Sequence, residues 1–499
     1  LQDALPISRN NATLQLQLDN SYAREVEGCY VPWQPAGSPN ARLIKLNQAL
    51  ALELGLTPAL FSAEEALGAF SGNVVPPTAQ PLAQAYAGHQ FGHFSPQLGD
   101  GRAVLLGERI DQNGQRRDIA LKGSGRTPFS RSGDGLATLG PVLREYLMGE
   151  AMHALGIPTT RGLAVVSTGE SVQRERELPG AVLTRVAASH LRIGTFEFFA
   201  SRGDTATLRR LADYAIARHD LSLVGAPDRY LGLLKAVAER QALLVARWMG
   251  VGFVHGVMNT DNMTISGETI DYGPCAFIEH LDPKAVFSSI DRHARYAFGN
   301  QPPIAQWNIA RLAQALLPLI DDDEARAGEL AADVVNGFAD RFEQHWQRVL
   351  HAKLALPDQT PEDSMLGNDY LQLLQTHRID YTLGFRRLMD AATGDDAPLQ
   401  ALFGQAQPQL TAWLERWRQR TGAREDTVAK LRAVNPLYIA RNHQVEAALA
   451  AAVDEADFAP FERLLAVLQH PFDEREEDQA FSRPAPAEQT ACYKTFCGT

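Results

Sequence analysis

The segment from His255 to Gly273 constrains this chain most. It opens with the octapeptide His255-Gly256-Val257-Met258-Asn259-Thr260-Asp261-Asn262. A short stretch turning at Gly267 follows, and then Asp271 stands before Tyr272 and Gly273. An Asn and an Asp at that separation offer two oxygen donors that a turn brings together, as a hard divalent cation beside phosphate requires. Val257, in the middle of the octapeptide, has no proton-accepting atom.

This is the layout of a protein-kinase catalytic loop, in which the third position is the Asp that accepts the proton of the substrate hydroxyl. Here that position is Val257, while the metal-holding positions, Asn262 and Asp271, are intact. The chain is therefore built to hold a nucleotide and its metal without the residue that makes a phosphotransferase. Asp261 is the nearest carboxylate able to replace the base; its other reading is a cap on the turn.

Upstream residues extend the pattern. Ile119-Ala120-Leu121-Lys122 reads as a strand ending in a phosphate-contacting Lys that pairs with a helix Glu. Glu145 is the first candidate partner and Glu150 its competitor. Five residues apart, the two lie about 140° apart around a helix, so only one faces Lys122. Gly99-Asp100-Gly101-Arg102 offers close backbone approach to phosphate, although a Gly-x-Gly alone also suits an ordinary turn. The loop from Gly123 to Gly135 is rich in Gly, Ser and Arg donors.

At 499 residues, the chain is too long for one compact core. The reading is an α+β, bilobal kinase-like fold. Residues 1–75 form an N-terminal extension, 76–200 a small β-rich lobe, 201–472 a helical lobe and 473–499 a tail. Helix is expected over 41–56 and from 141 to 156, and strands over 102–110 and 117–122 around a turn at Asn113-Gly114. Leu233, Val237, Leu244 and Trp248 share a helical face that Gly250 closes. Residues 262–271 read as strand, turn, strand, and helices are expected over 304–320, 324–351, 397–421 and 443–468.

A net charge of −12 leaves no surplus of Lys and Arg for nucleic acid. The longest apolar stretch, 243–258, is interrupted by Arg247 and His255 and is no membrane span. Four cysteines make no disulfide scaffold, which points to a reducing cytoplasm. The start, 1–11, reads as the edge of a truncated frame and carries no argument. Cys492 and Cys497 lie near the end, where a tail thiol has Cys275 or Cys492 as oxidative partners for Cys497; inert thiols are the alternative.

Longer runs carry a resemblance over nearly the whole chain: AYAGHQFG at 85–92, PQLGDGR at 96–102, LKGSGRTPFS at 121–130, GDG at 133–135, EAMHALGIPTTR at 150–161, the octapeptide, GNQP at 299–302 and CGT at 497–499. Together they resemble the selenoprotein O (SelO) family of kinase-like protein adenylyltransferases. The resemblance implies ATP bound in flipped orientation and AMP moved to Ser, Thr or Tyr hydroxyls of protein substrates. It implies that Gly99, Gly101, Arg102, Lys122, Asp134, Gly135, Arg185 and Arg192 bind the nucleotide and that Glu145 pairs with Lys122. Asn262 and Asp271 would hold Mg²⁺ or Mn²⁺, with Asp261 the proton acceptor. The chain departs from the family at Cys275, an apolar position there, and 277–287 holds no second Cys to pair with the tail. A conventional kinase and a non-catalytic ATP-binding scaffold are the rival readings.

Overall fold

The computed structural model describes residues 16–57, 62–357, 360–404, 407–421, 424–486, 488 and 493–496. Its N-terminal region is built on an eight-stranded antiparallel sheet and its C-terminal region is helical. The strands are β1 (Tyr30–Pro32), β2 (Arg42–Leu46), β3 (Leu82–Gln84), β4 (Ala103–Ile110), β5 (Arg116–Lys122), β6 (Ala137–Thr138), β7 (Arg161–Gln173) and β8 (Glu177–Ala187). They run in the order β1-β3-β4-β5-β8-β7-β2, with β6 pairing to β8.

Period-2 alternation explains why the central strands are apolar throughout. Leu105, Ala120, Val165 and Leu183 enter one core, which continues into the helical region through Leu233, Trp248 and Phe461. Their neighbours Leu106, Ile119, Leu121, Val166 and Val182 enter a second core beneath Leu50, Leu54 and Phe70. The Asn113-Gly114 turn forms as expected. Asp111 Oδ1 accepts from the amides of Asn113 (2.9 Å) and Gln115 (2.8 Å), and Gly114 takes φ +75°.

Helix Leu139–Ala154 lies against β7 and β8, with Pro141 in its first turn and Gly156 at φ +74° just past its end. In the helical region, Arg229–Val251 buries Leu233, Val237, Leu244 and Trp248 on one face. A further core of Tyr370, Phe385, Trp413 and Trp417 joins the later helices, with Tyr370 and Trp413 stacked at 4.3 Å. Among the described residues no helix is long and apolar enough to cross a membrane.

Several expectations are corrected. Residues 41–56 are half strand: Arg42–Leu46 pairs with β7, and only Gln48–Glu53 is helical. The switch falls at Asn47, whose side chain accepts from Leu50 N at 3.2 Å and caps the helix. The edge of β7 needs a partner, and that tertiary demand overrides helix propensity. With β1, this places both edge strands of the sheet within 1–75.

Helix Arg229–Val251 closes at Gly252 (φ +77°), not Gly250, whose Cα packs too close to Val349 for a side chain. Residues 262–271 are not a self-paired hairpin. Thr264 bridges to Arg192 and Thr269 to Thr159, so each arm pairs outward. The helices expected over 324–351, 397–421 and 443–468 are each broken in two, the first at Gly337. The two longest strands, β7 and β8, had no part in the sequence reading.

Candidate active site

The pleat of the sheet brings the first basic groups together. On adjacent antiparallel strands Lys122 lies opposite Leu183, and Arg185 opposite Ala120. Lys122 and Arg185 therefore project from one face, a diagonal step apart. Helix Leu139–Ala154 supplies Glu145 to both: Lys122 Nζ lies 2.5 Å from Glu145 Oε2, and Arg185 Nη1 lies 2.9 Å from Oε1. The helical period turns Glu150 away, onto a buried two-pronged pair with Arg161 at 2.6 and 2.8 Å. Glu150→Ala should lower stability by about 3 kcal/mol, because it leaves a buried guanidinium with the half-exposed Glu53, 3.5 Å away, in place of its two-pronged partner. Thermal melting and kcat together check this; lost turnover at unchanged Tm would instead put Glu150 in the site.

Asp271 is the centre of the cluster. It holds φ +64°, a left-handed conformation that Asp tolerates better than most residues. Its Oδ1 takes Lys122 Nζ (2.6 Å) and Arg185 Nη1 (3.0 Å), and its Oδ2 takes Arg192 Nη1 (3.2 Å). Burial alone would raise its carboxyl, but these three cations hold it well below the ordinary carboxylate range. Glu145 is likewise held low by Lys122 and Arg185 against the effect of burial. Three cations thus converge on these two carboxylates, and Arg192 also lies within the field of Asp100 and Asp261.

A relay absent from the sequence reading orients Arg185. Its Nε donates to His190 Nε2 (3.2 Å), which fixes the tautomer so that His190 Nδ1 donates to Asp118 (3.0 Å). Burial lowers the His190 pKa, keeping the ring neutral and able to accept.

The octapeptide forms the opposite wall. His255 Nε2 contacts Ile270 O at 2.9 Å, tying the start of the loop to the residue before Asp271. Asn262 Nδ2 donates to Val257 O (3.1 Å), so its amide oxygen is the atom left to meet a cation. Asp261 is almost fully buried, and burial pushes its carboxyl up to about 6, opposed by Arg192. Arg192 also donates to the Asp261 backbone oxygen (2.7 Å) and lies over the Tyr86 ring at 4.5 Å.

These groups line one cleft of about 340 Å³. Gly101, Arg102, Lys122, Glu145, Arg185, Arg192, Asp261, Asn262 and Asp271 all face it, as does Val257. Gly99, Asp134 and Gly135 are not part of its lining. A side chain on Gly99 would strike the Phe129 ring, and one on Gly135 would strike the Gly125 carbonyl, so loop packing by itself requires glycine at both positions. Asp134 is paired with Arg174 at 2.7 Å. The Gly123–Gly135 loop is laced to the Gly99–Arg102 turn, where Thr127 Oγ1 donates to Asp100 O (2.6 Å). Tyr86, Gln90 and Asp100 line the cleft without having been singled out.

Among the described residues no three His, Cys, Asp or Glu converge as a metal site. Asn262 and Asp271 therefore fit a hard cation only when phosphate oxygens complete its shell. Cys275 is buried, with its thiol pushed up to about 11 by burial and donated to Tyr272 O (3.1 Å). That environment makes it a poor partner for a tail disulfide. Cys492 and Cys497 lie outside the described residues.

The profile of the family described as protein adenylyltransferase SelO matches residues 12–469. The protein nucleotidyltransferase YdiU of Cereibacter sphaeroides is 59% identical over 487 residues, covering 97% of this chain and 100% of that protein. YdiU of Chromobacterium violaceum is 56% identical over 475 residues, covering 94% of this chain and 99% of that protein. YdiU of Rhodopseudomonas palustris is 54% identical over 493 residues, covering 98% and 100%.

Proposed function

The chain belongs to the SelO family of protein adenylyltransferases, and from that premise we propose that its cleft moves AMP from ATP to Ser, Thr or Tyr hydroxyls, with the α-phosphate toward the acceptor. It is a protein nucleotidyltransferase. The observation that carries the orientation is an exchange of chemistry along one loop. Val257 faces the cleft and accepts no proton, whereas Asp261, four residues on, faces it with a carboxylate.

In this reading the acceptor oxygen forms a bond to the α-phosphorus and the bond to the β-phosphate oxygen breaks. Pyrophosphate leaves with the electron pair, and the acceptor proton passes to Asp261. Lys122, Arg185 and Arg192 supply fixed positive charge that needs no reorganisation as the charge moves. Glu145 and the Asp118–His190 relay hold two of these cations in place. Gly101 and Arg102 contact phosphate directly, while Gly99, Asp134 and Gly135 shape the adjoining loops. Asn262 and Asp271 would hold Mg²⁺ or Mn²⁺, which when bound offsets charge on the triphosphate.

The frame is kinase-like, with 76–200 as the small lobe, 201–472 as the helical lobe and 473–499 as the tail, in a cytoplasmic protein. The Lys122–Glu145 pair, the Asn262 and Asp271 positions, and the sheet-then-helices order support it.

Bond-blocked ATP analogues test which phosphate reacts. An analogue with methylene between the α- and β-phosphates should bind and block transfer, while one with methylene between β and γ should still serve as substrate. The opposite pattern belongs to a kinase and overturns the proposal.

A further inference from the structure

We propose that Gln90 is a positioning residue that orients Asp261 for proton transfer; this rests on Asp261 being the proton acceptor. Gln90 closes the first strand of a hairpin, Gly88–Gln90 paired with His93–Ser95. Its two turn residues, Phe91 (φ +52°) and Gly92 (φ +85°), are both left-handed, as a tight two-residue hairpin requires.

Three successive hairpin residues grip three successive residues of the octapeptide. Phe91 N donates to Asn259 Oδ1 (3.1 Å), His89 N to Thr260 Oγ1 (2.7 Å), and Gln90 Nε2 to Asp261 Oδ2 (3.2 Å). Buried Glu197 locks the arrangement, contacting both His89 Nδ1 and Thr260 Oγ1. The hairpin is thus held in fixed register on the loop, and the amide of Gln90 arrives at a defined place.

The two carboxylate oxygens of Asp261 are not equivalent. Oδ1 is buried without a hydrogen-bond partner and lies over Gly88, where a Cβ would sit only 2.5 Å away. Oδ2 receives the Gln90 amide. Arg192 binds only the backbone oxygen of Asp261 and leaves the side-chain torsion free. Gln90 is the group that sets which oxygen meets the acceptor hydroxyl, and it does so from within the cleft lining. Oδ2 keeps a further lone pair for the incoming proton.

Steady-state kinetics on Gln90→Ala, Asp261→Ala and the double variant test this. Gln90→Ala should lower kcat about 10- to 100-fold, the scale of a misplaced reacting group, with KM for ATP unchanged. Gln90→Glu, which keeps the length but removes the donor, should fall at least as far. In the Asp261→Ala background the Gln90 change should cost nothing further, because the two act as one unit. Parent kcat in Gln90→Ala overturns the proposal, and so does an equal loss in the Asp261→Ala background, which marks a structural role. Parent turnover in Asp261→Ala alone would instead refute the proton-acceptor reading itself.

Discussion

Asp271→Ala abolishes AMP transfer, with turnover falling more than about 10³-fold, the scale of several kcal/mol of charge stabilisation in the reaction. Two losses coincide. The substitution removes one of the two oxygen-donor residues proposed to hold the cation, and it takes the common partner from Lys122, Arg185 and Arg192. Those side chains would then repel one another, with Glu145 left to Lys122 and Arg185 and with Asp100 and Asp261 left to Arg192. Because stranded cations also destabilise a fold, Asp271→Asn is the companion variant: it keeps the shape and one oxygen while removing the charge. Both should melt as folded proteins and transfer no AMP above background. Turnover within tenfold of the parent in Asp271→Asn would remove Asp271 from the metal site.

Asp261→Ala slows transfer about 10²- to 10⁴-fold, the range of a lost general base, while ATP binding stays nearly intact. The same variant should keep or raise its Tm. Asp261 is a buried carboxylate with one side-chain donor at 3.2 Å and one unpartnered oxygen, so the fold gains little from it. Lost activity at retained stability separates a reacting group from a turn cap, whose removal would do the reverse. Calorimetric ATP titration beside turnover and melting decides the matter. Parent-like turnover would make Asp261 a cap.

Much of this site was legible because its residues sit in local patterns. Lys122 ends a recognisable strand, Asn262 and Asp271 keep a fixed spacing, and the helical period offered only Glu145 or Glu150 as partner. Arg185 and Arg192 carry no such local mark and entered only through family resemblance. Arg185 reaches Asp271 through the pairing of β5 with β8, a register that no local window contains.

The same limit hid the Asp118–His190 relay and Gln90, whose partners lie 72 and 171 residues away in sequence. Residues 41–56 were misread for a related reason. The helical signal was real for Gln48–Glu53, but the open edge of β7 drew the preceding five residues into the sheet. Packing adds a second demand on Gly99 that no local window shows: besides the close phosphate approach its spacing suggests, a side chain there would strike the ring of Phe129.

The central claim is that the α-phosphorus reacts, at a cleft whose kinase-base position is Val257. ATP carrying distinguishable labels on the α- and γ-phosphates, incubated with the enzyme, a divalent cation and protein acceptors, tests it most directly. The account predicts α-label bound covalently to protein, γ-label released with pyrophosphate, and neither on protein when Asp271→Ala replaces the parent. Covalent γ-label would contradict it and identify a kinase, and tight ATP binding with no label transferred would identify a scaffold.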